Sequence, residues 1–332
     1  MILLAGFPGI SRAADVKLGG LIFTHYEYVL SDHLANGSRA DSRNAFDVSR
    51  VYLNAASKLD ERTDVFIQLE TNLSSRENTA NQTFLKQAWV RWNEIYRGAS
   101  LRVGLVPSPW RAFEEGIWKL RFVAKILEDE EGLLSATDRG VLISGKSPHI
   151  SYDALISNGE GTGARSTTGN ETNKYKDYAA RISVAPFSGP TLQGLKFNIQ
   201  FDEGKRMAGW PRDRAFSGLS YECDRFNMWG AYYSSRDGKS VATGTDTVKG
   251  AGFSFHTIIN LPKGYWVFGR FDQWDPDTNV ADDAHHRIYY GAGKNLSENV
   301  RVSVDQQLLR QEKVTTNQKN QNIIFTHVEV KF

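Results

Sequence analysis

Apolar residues fall at every second position through most of this chain, not at the three-and-four spacing of a helix. The last segment is the clearest case. Ile324, Thr326, Val328, Val330 and Phe332 alternate with Phe325, His327, Glu329 and Lys331, so one face tolerates hydrocarbon and the other suits water. In the same way Val65, Ile67, Leu69 and Thr71 alternate with Phe66, Gln68, Glu70 and Asn72, and Phe253, Phe255 and Thr257 with Gly252, Ser254 and His256. Sixteen such segments, from Val16 to Leu30 through to Asn322 to Phe332, predict sixteen β-strands.

The connections between them alternate in length. Asp60 to Asp64, Tyr96 to Gly98, Ser147 with Pro148, Pro186 to Gly194, Asp224 with Arg225, Pro262 with Lys263, and Asn295 to Glu298 are short; the intervening ones are long. A transmembrane barrel keeps this parity, with short turns on one side and long loops on the other, and an even strand count returns both ends to one side. A soluble β-sandwich with Greek-key links has no reason to keep it. Sixteen half-apolar strands in series also leave no segment to cover them, so their apolar faces meet either lipid or a second sheet. The alternatives are therefore a closed barrel and a soluble β-sandwich, for example a carbohydrate-binding module.

One connection differs from the rest. Residues 107–138 form the third long loop, and there Phe113, Ile117, Leu120, Ala124 and Leu127 recur at spacings of four and three, which predicts one apolar helical face. A loop with its own apolar stripe belongs against a wall, and the expectation is that it folds into the lumen as a constriction. Its charges divide into a basic set (Arg111, Lys119, Arg121, Lys125) and an acidic set (Glu114, Glu115, Glu128, Asp129, Glu130, Glu131). Opposed across a constriction, they would set up a transverse field that selects permeants by sign and dipole; on a surface helix they would only solvate it. Strand alternation places Arg50, Arg91, Arg102, Lys146, Arg181, Lys196, Arg270, Arg287 and Arg301 inward, against Glu70, Asp153, Asp202, Asp272 and Asp305. Basic groups prevail, which points to a modest anion preference.

Composition sharpens the picture. The 332 residues include 12% aromatics, of the kind that gather at membrane interfaces, and no stretch approaches the ~18 consecutive apolar residues of a transmembrane helix. If the chain spans a bilayer, it does so as a closed barrel. A formal net charge of +2 gives no reason to expect nucleic acid as a partner, and the single Cys223 excludes an intrachain disulfide. Residues 1–14 carry a short apolar run with small residues at Ser11 and Ala13, as in an export cleavage site but without its basic start, and read as the remnant of an export signal; residues 15–332 then form one barrel domain.

Several segments resemble a known family. Leu101 to Trp110 (LRVGLVPSPW), Glu115 to Phe122 (EGIWKLRF), Asp138 to Lys146 (DRGVLISGK), Asn158-Gly159-Glu160-Gly161 and Lys176 to Pro186 (KDYAARISVAP) follow in an order similar to the phosphate-selective porins (O/P type) and related Gram-negative outer-membrane porins. The resemblance implies sixteen strands, a homotrimer, passive diffusion of small anionic or neutral solutes, an infolded third loop, and an outer-membrane setting among phospholipid and lipopolysaccharide. In such barrels a terminal strand like Val328, Val330 and Phe332 is read by the barrel-insertion machinery. A specific phosphate or organic-anion channel is the narrower version of this reading, but no compact run matches a phosphate ladder.

Three other patterns lead elsewhere and are discounted on chemistry. Gly140 to Ser147 (GVLISGKS) fits the phosphate-loop spacing, but its middle residues read as strand and no helix follows. Asp275, Asp277 and Asn279 have calcium-loop spacing, yet Val280 and His286 stand where the loop needs Gly and Glu, so neither a metal nor another cofactor is expected. No G-x-S-x-G elbow supports a hydrolase, and His256 and His327 are expected as hydrated lumen residues. No enzymatic activity is expected.

Overall fold

The computed structural model describes residues 15–34, 44–72, 82–159, 161, 175–207, 210–241, 244–314 and 319–332. The proposed signal remnant, 1–14, lies outside them, as does Glu160. Sixteen antiparallel strands make one sheet that closes on itself. They begin with β1 (Val16–Leu34), β2 (Asn44–Lys58), β3 (Thr63–Asn72), β4 (Gln82–Tyr96) and β5 (Ala99–Pro107). Next come β6 (Thr137–Lys146), β7 (Ile150–Ser157), β8 (Asp177–Val184) and β9 (Leu195–Glu203), which continues beyond Gly204 as the short arm Lys205–Met207. The circuit is completed by β10 (Trp210–Glu222), β11 (Phe226–Val241), β12 (Gly244–Asn260), β13 (Tyr265–Asp275), β14 (His285–Asn295), β15 (Val300–Gln311) and β16 (Lys319–Lys331).

Each strand pairs with its sequence neighbours, and β1 pairs with both β2 and β16, so no edge is left open. This topology rules out the two stacked sheets of the sandwich alternative. The seam is sealed by the last residue. Phe332 exchanges two backbone hydrogen bonds with Gly20, at 2.7 and 3.1 Å, and its ring lies over Gly20, where any Cβ would collide with it. Phe332 remains 62% exposed on the outside, and Val328 and Val330 share its outward face.

The outer wall is apolar. Ile67, Leu69, Ile156, Ile182, Phe197, Ile199, Leu219, Phe253 and Phe255 all stand exposed on it. Trp92, Tyr96, Phe226 and Tyr265, also exposed, lie beside the short turns as an aromatic belt. No helix among the described residues is long and apolar enough to cross a membrane, and here the crossing elements are strands. The GVLISGK run lies in β6 and is strand throughout.

The third loop holds two short helices, α1 (Pro109–Trp118) and α2 (Leu127–Glu130). The single helical stripe expected from Phe113 to Leu127 is therefore interrupted. Lys119 takes a left-handed conformation (φ 55°) and ends α1, and residues 119–126 follow as turns. Their apolar side chains satisfied a helical period by count while packing individually against the wall.

Candidate pore constriction

The third loop lies along the inner face of one half of the barrel. Trp110, Ile117, Leu127 and Leu133 pack with Phe216, Trp229, Tyr233 and Trp274, all of them buried. Trp118, Leu120, Phe122, Val123 and Ile126 form a second cluster with Phe23, Tyr52, Ile258, Trp266, Phe268 and Tyr289. Polar ties fix the register: Asn227 Nδ2 donates to the Ile117 carbonyl at 2.6 Å, Arg270 to that of Lys125 at 2.5 Å, Gln307 to that of Val123 at 3.2 Å, and Arg301 to that of Lys119 at 2.9 Å. Each of these wall residues occupies the buried parity of its strand, and the loop packs against that face.

Glu114 sits at the centre of the first cluster. It accepts hydrogen bonds from Trp110 Nε1 (2.7 Å), Trp229 Nε1 (3.2 Å) and Tyr233 Oη (2.7 Å), and is 1% exposed. Burial pushes its carboxyl up to about 7 against these three donors, which favour the charged form. The sequence placed Glu114 in the acidic set of a constriction; the structure turns it into the wall, away from any permeant.

The remaining loop charges largely answer one another. Arg111 meets Glu115 at 3.3 Å, Glu128 at 3.7 Å and Asp129 at 2.6 Å, and Arg121 meets Glu115 at 3.2 Å and Asp129 at 2.7 Å. Glu128 is completely enclosed, and burial raises its carboxyl well above the ordinary range despite Arg111. Burial also opposes ionisation of Asp129, but Arg121 and Arg111 overcome it and hold that carboxyl well below its usual value. Lys119, exposed at the end of α1, reaches Glu222 on β10 at 2.9 Å. Lys125 is half-buried beside Arg270. The basic and acidic sets are thus interleaved within the loop and do not face each other across the bore.

The arginines named from alternation divide into two groups by their partners. Arg270, paired with Asp272 and fully buried, Arg287, paired with Glu131 of the loop, and Arg301, paired with Glu329, clamp the loop to the wall. Arg50, Arg91, Arg102 and Arg181 stand on β2, β4, β5 and β8. Arg50 pairs with Glu70, Arg91 with Asp64 at 2.6 Å, and Arg181 with Asp153 at 2.5 Å while lying 4.4 Å over the Phe113 ring of the loop.

One basic residue escaped the alternation. Lys86 bonds Glu70 at 2.8 Å and Tyr52 Oη at 3.1 Å, beside Arg50. Counting back by twos from Arg91 sends Lys86 outward. A bulge in β4, where Gln68 pairs with Gln87 and Leu69 already with Leu85, makes Lys86 the extra residue and turns it inward. The one signal in the sequence was the misfit itself: without a bulge, Leu85 would face water and Lys86 lipid. The two histidines also depart from expectation. His256 is 1% exposed, its ring 4.8 Å from Trp118, and His327 lies 3.0 Å from Asp305 beneath Phe122, so the loop covers both.

Set beside known proteins, the chain matches no family model and no curated sequence. Its fold does match solved structures. An anion-selective porin from Comamonas acidovorans superposes with a TM-score of 0.70 at 14% identity, over 96% of this chain and 100% of that one. OmpF of Salmonella typhi, solved with daunomycin, gives 0.67 at 12% identity over 96% and 98%. The outer membrane channel DcaP of Acinetobacter baumannii gives 0.67 at 10% identity over 99% and 100%. At these identities the likeness concerns the fold: a sixteen-stranded barrel of the kind built by Gram-negative outer-membrane porins.

Proposed function

We propose that this protein is an outer-membrane porin, a water-filled channel for passive diffusion of small hydrophilic solutes, with a modest preference for anions and a homotrimeric assembly. The observation that carries the reading is the two-sidedness of one closed wall, with lipid-compatible side chains outside and ionised ones inside, narrowed by a loop anchored to the inner face. Barrels of this fold include a channel described as anion-selective. Anion preference is further supported by the groups left facing the open half. Arg50, Arg91 and Arg102 are partly exposed there, and Arg102 has no paired carboxylate among the described residues, while Glu114 and Glu128 are enclosed.

The test is the reversal potential in a salt gradient across a planar bilayer. The wild type should show a weak anion bias, and Arg121→Glu combined with Lys125→Glu should cancel or invert it. An unchanged reversal potential would remove the third loop from the permeation path.

A further inference from the structure

Arg91 and Arg102 stand directly opposite each other on β4 and β5. Like charges in that relation weaken a sheet. Arg91 has an answer, because its Nε and Nη2 donate to Asp64 at 3.0 and 2.6 Å. Arg102 has none: no carboxylate among the described residues pairs with it, and its Nε is buried without an acceptor. Asp153, whose charge it feels, is occupied by Arg181 at 2.8 and 2.5 Å. The Arg102 guanidinium lies instead over Trp89, 5.3 Å from the ring centroid, with Arg91 at 5.6 Å.

Trp89 is itself held in place. Phe66 stacks against it at 5.3 Å and 28°, and its Nε1 donates to Gln87 at 3.1 Å, from which amide hydrogen bonds continue to Gln68 and Asn54. The indole is half-buried on the inward face. The cluster is therefore a partly desolvated cation without a counter-charge, beside an ordered aromatic surface. A carboxylate matches the guanidinium fork in geometry and charge, and a flat ring attached to it gains contact with the half-buried pair of Trp89 and Phe66, whose stacked faces leave their edges to the lumen side. A neutral sugar leaves Arg102 unanswered, and inorganic phosphate leaves the aromatic surface unused.

We propose that Arg102, Trp89 and Phe66 form a binding subsite for small aromatic carboxylates on their way through the lumen. This rests on the channel reading above and names a permeant class for it. The experiment is block of chloride current through the intact barrel in planar bilayers at low salt, where screening is weak, with benzoate, acetate and inorganic phosphate as probes. Benzoate should half-block at a concentration roughly tenfold below that of acetate or phosphate. Arg102→Gln and Trp89→Leu should each erase that gap, and Arg236→Gln at the outer rim should preserve it. Equal block by the three probes in the wild type, which needs no variant to fold, overturns the subsite, as does a benzoate preference that survives Arg102→Gln. Absence of any chloride conductance would instead overturn the channel reading, and the subsite with it.

Discussion

The two halves of the inner wall obey the same alternation and end in opposite environments. From β10 round to β2, inward positions are held by Phe216, Trp229, Tyr233, Trp266, Phe268, Phe23 and Tyr52, all buried under the third loop. From β3 to β8 a small apolar cluster of Val106, Leu142, Leu155 and Ala179 is also buried. There, however, Gln68, Glu70, Gln87, Trp89, Arg91, Asp153 and Arg181 keep their polar groups hydrogen-bonded, and Arg102 stands beside them with no paired carboxylate among the described residues. One half is largely a dry core of the kind found in soluble proteins, and the other carries most of its ionised and amide groups partly exposed. An inward position in a barrel is thus a statement about direction, and what covers it decides whether it is core or channel.

The largest effect should come from opening the dry half. Trp118 is fully buried, donates to the Ala124 carbonyl at 2.9 Å and packs on His256 and Phe268. Trp118→Ala leaves a large cavity at a cost of about 3–5 kcal/mol. The loop should loosen, seen as a raised single-channel conductance together with a lower unfolding temperature. A conductance equal to wild type would mean that the loop narrows nothing.

A smaller effect, with a defined sign, comes from Glu114. Its carboxyl is pushed up from the ordinary 4.5 to about 7 by burial. The docked loop therefore holds a proton that a released loop would give up within that window. Docking is favoured below pH 4.5 and weakens as pH rises through about 7. Wild type should unfold at a lower temperature at pH ~8 than at pH ~5. Glu114→Gln should flatten part of that slope, leaving what is owed to Glu128 and Glu130, which burial shifts in the same direction. An equal slope in the variant would separate the carboxyl from loop docking.

The smallest effect belongs to Lys119. Its ammonium reaches Glu222 at 2.9 Å but is half exposed, and such pairs contribute about 1 kcal/mol or less. Lys119→Ala should leave conductance unchanged and the unfolding temperature within a few degrees, confirming that the loop is held by its apolar face and by backbone ties. A loss as large as that of Trp118→Ala would reverse the assignment.

The expected parity of the connections held only in part, because β11 and β12 run on to Val241 and Gly244 where a long loop was expected, and the connection expected to be short between β8 and β9 spans residues 185–194. By itself the sequence determined the number of strands and their alternation. These are local properties: a side-chain period of two and a turn length leave their mark within a few residues. Tertiary structure alone decided that residues 119–126 abandon the helix, that Glu114 and His256 are enclosed, that Arg270 clamps while Arg102 stands unpaired, and that a bulge turns Lys86 inward. Each of those depends on which distant segment lies opposite, and a one-residue bulge or a loop docked across a wall exchanges water for protein without altering the pattern along the chain.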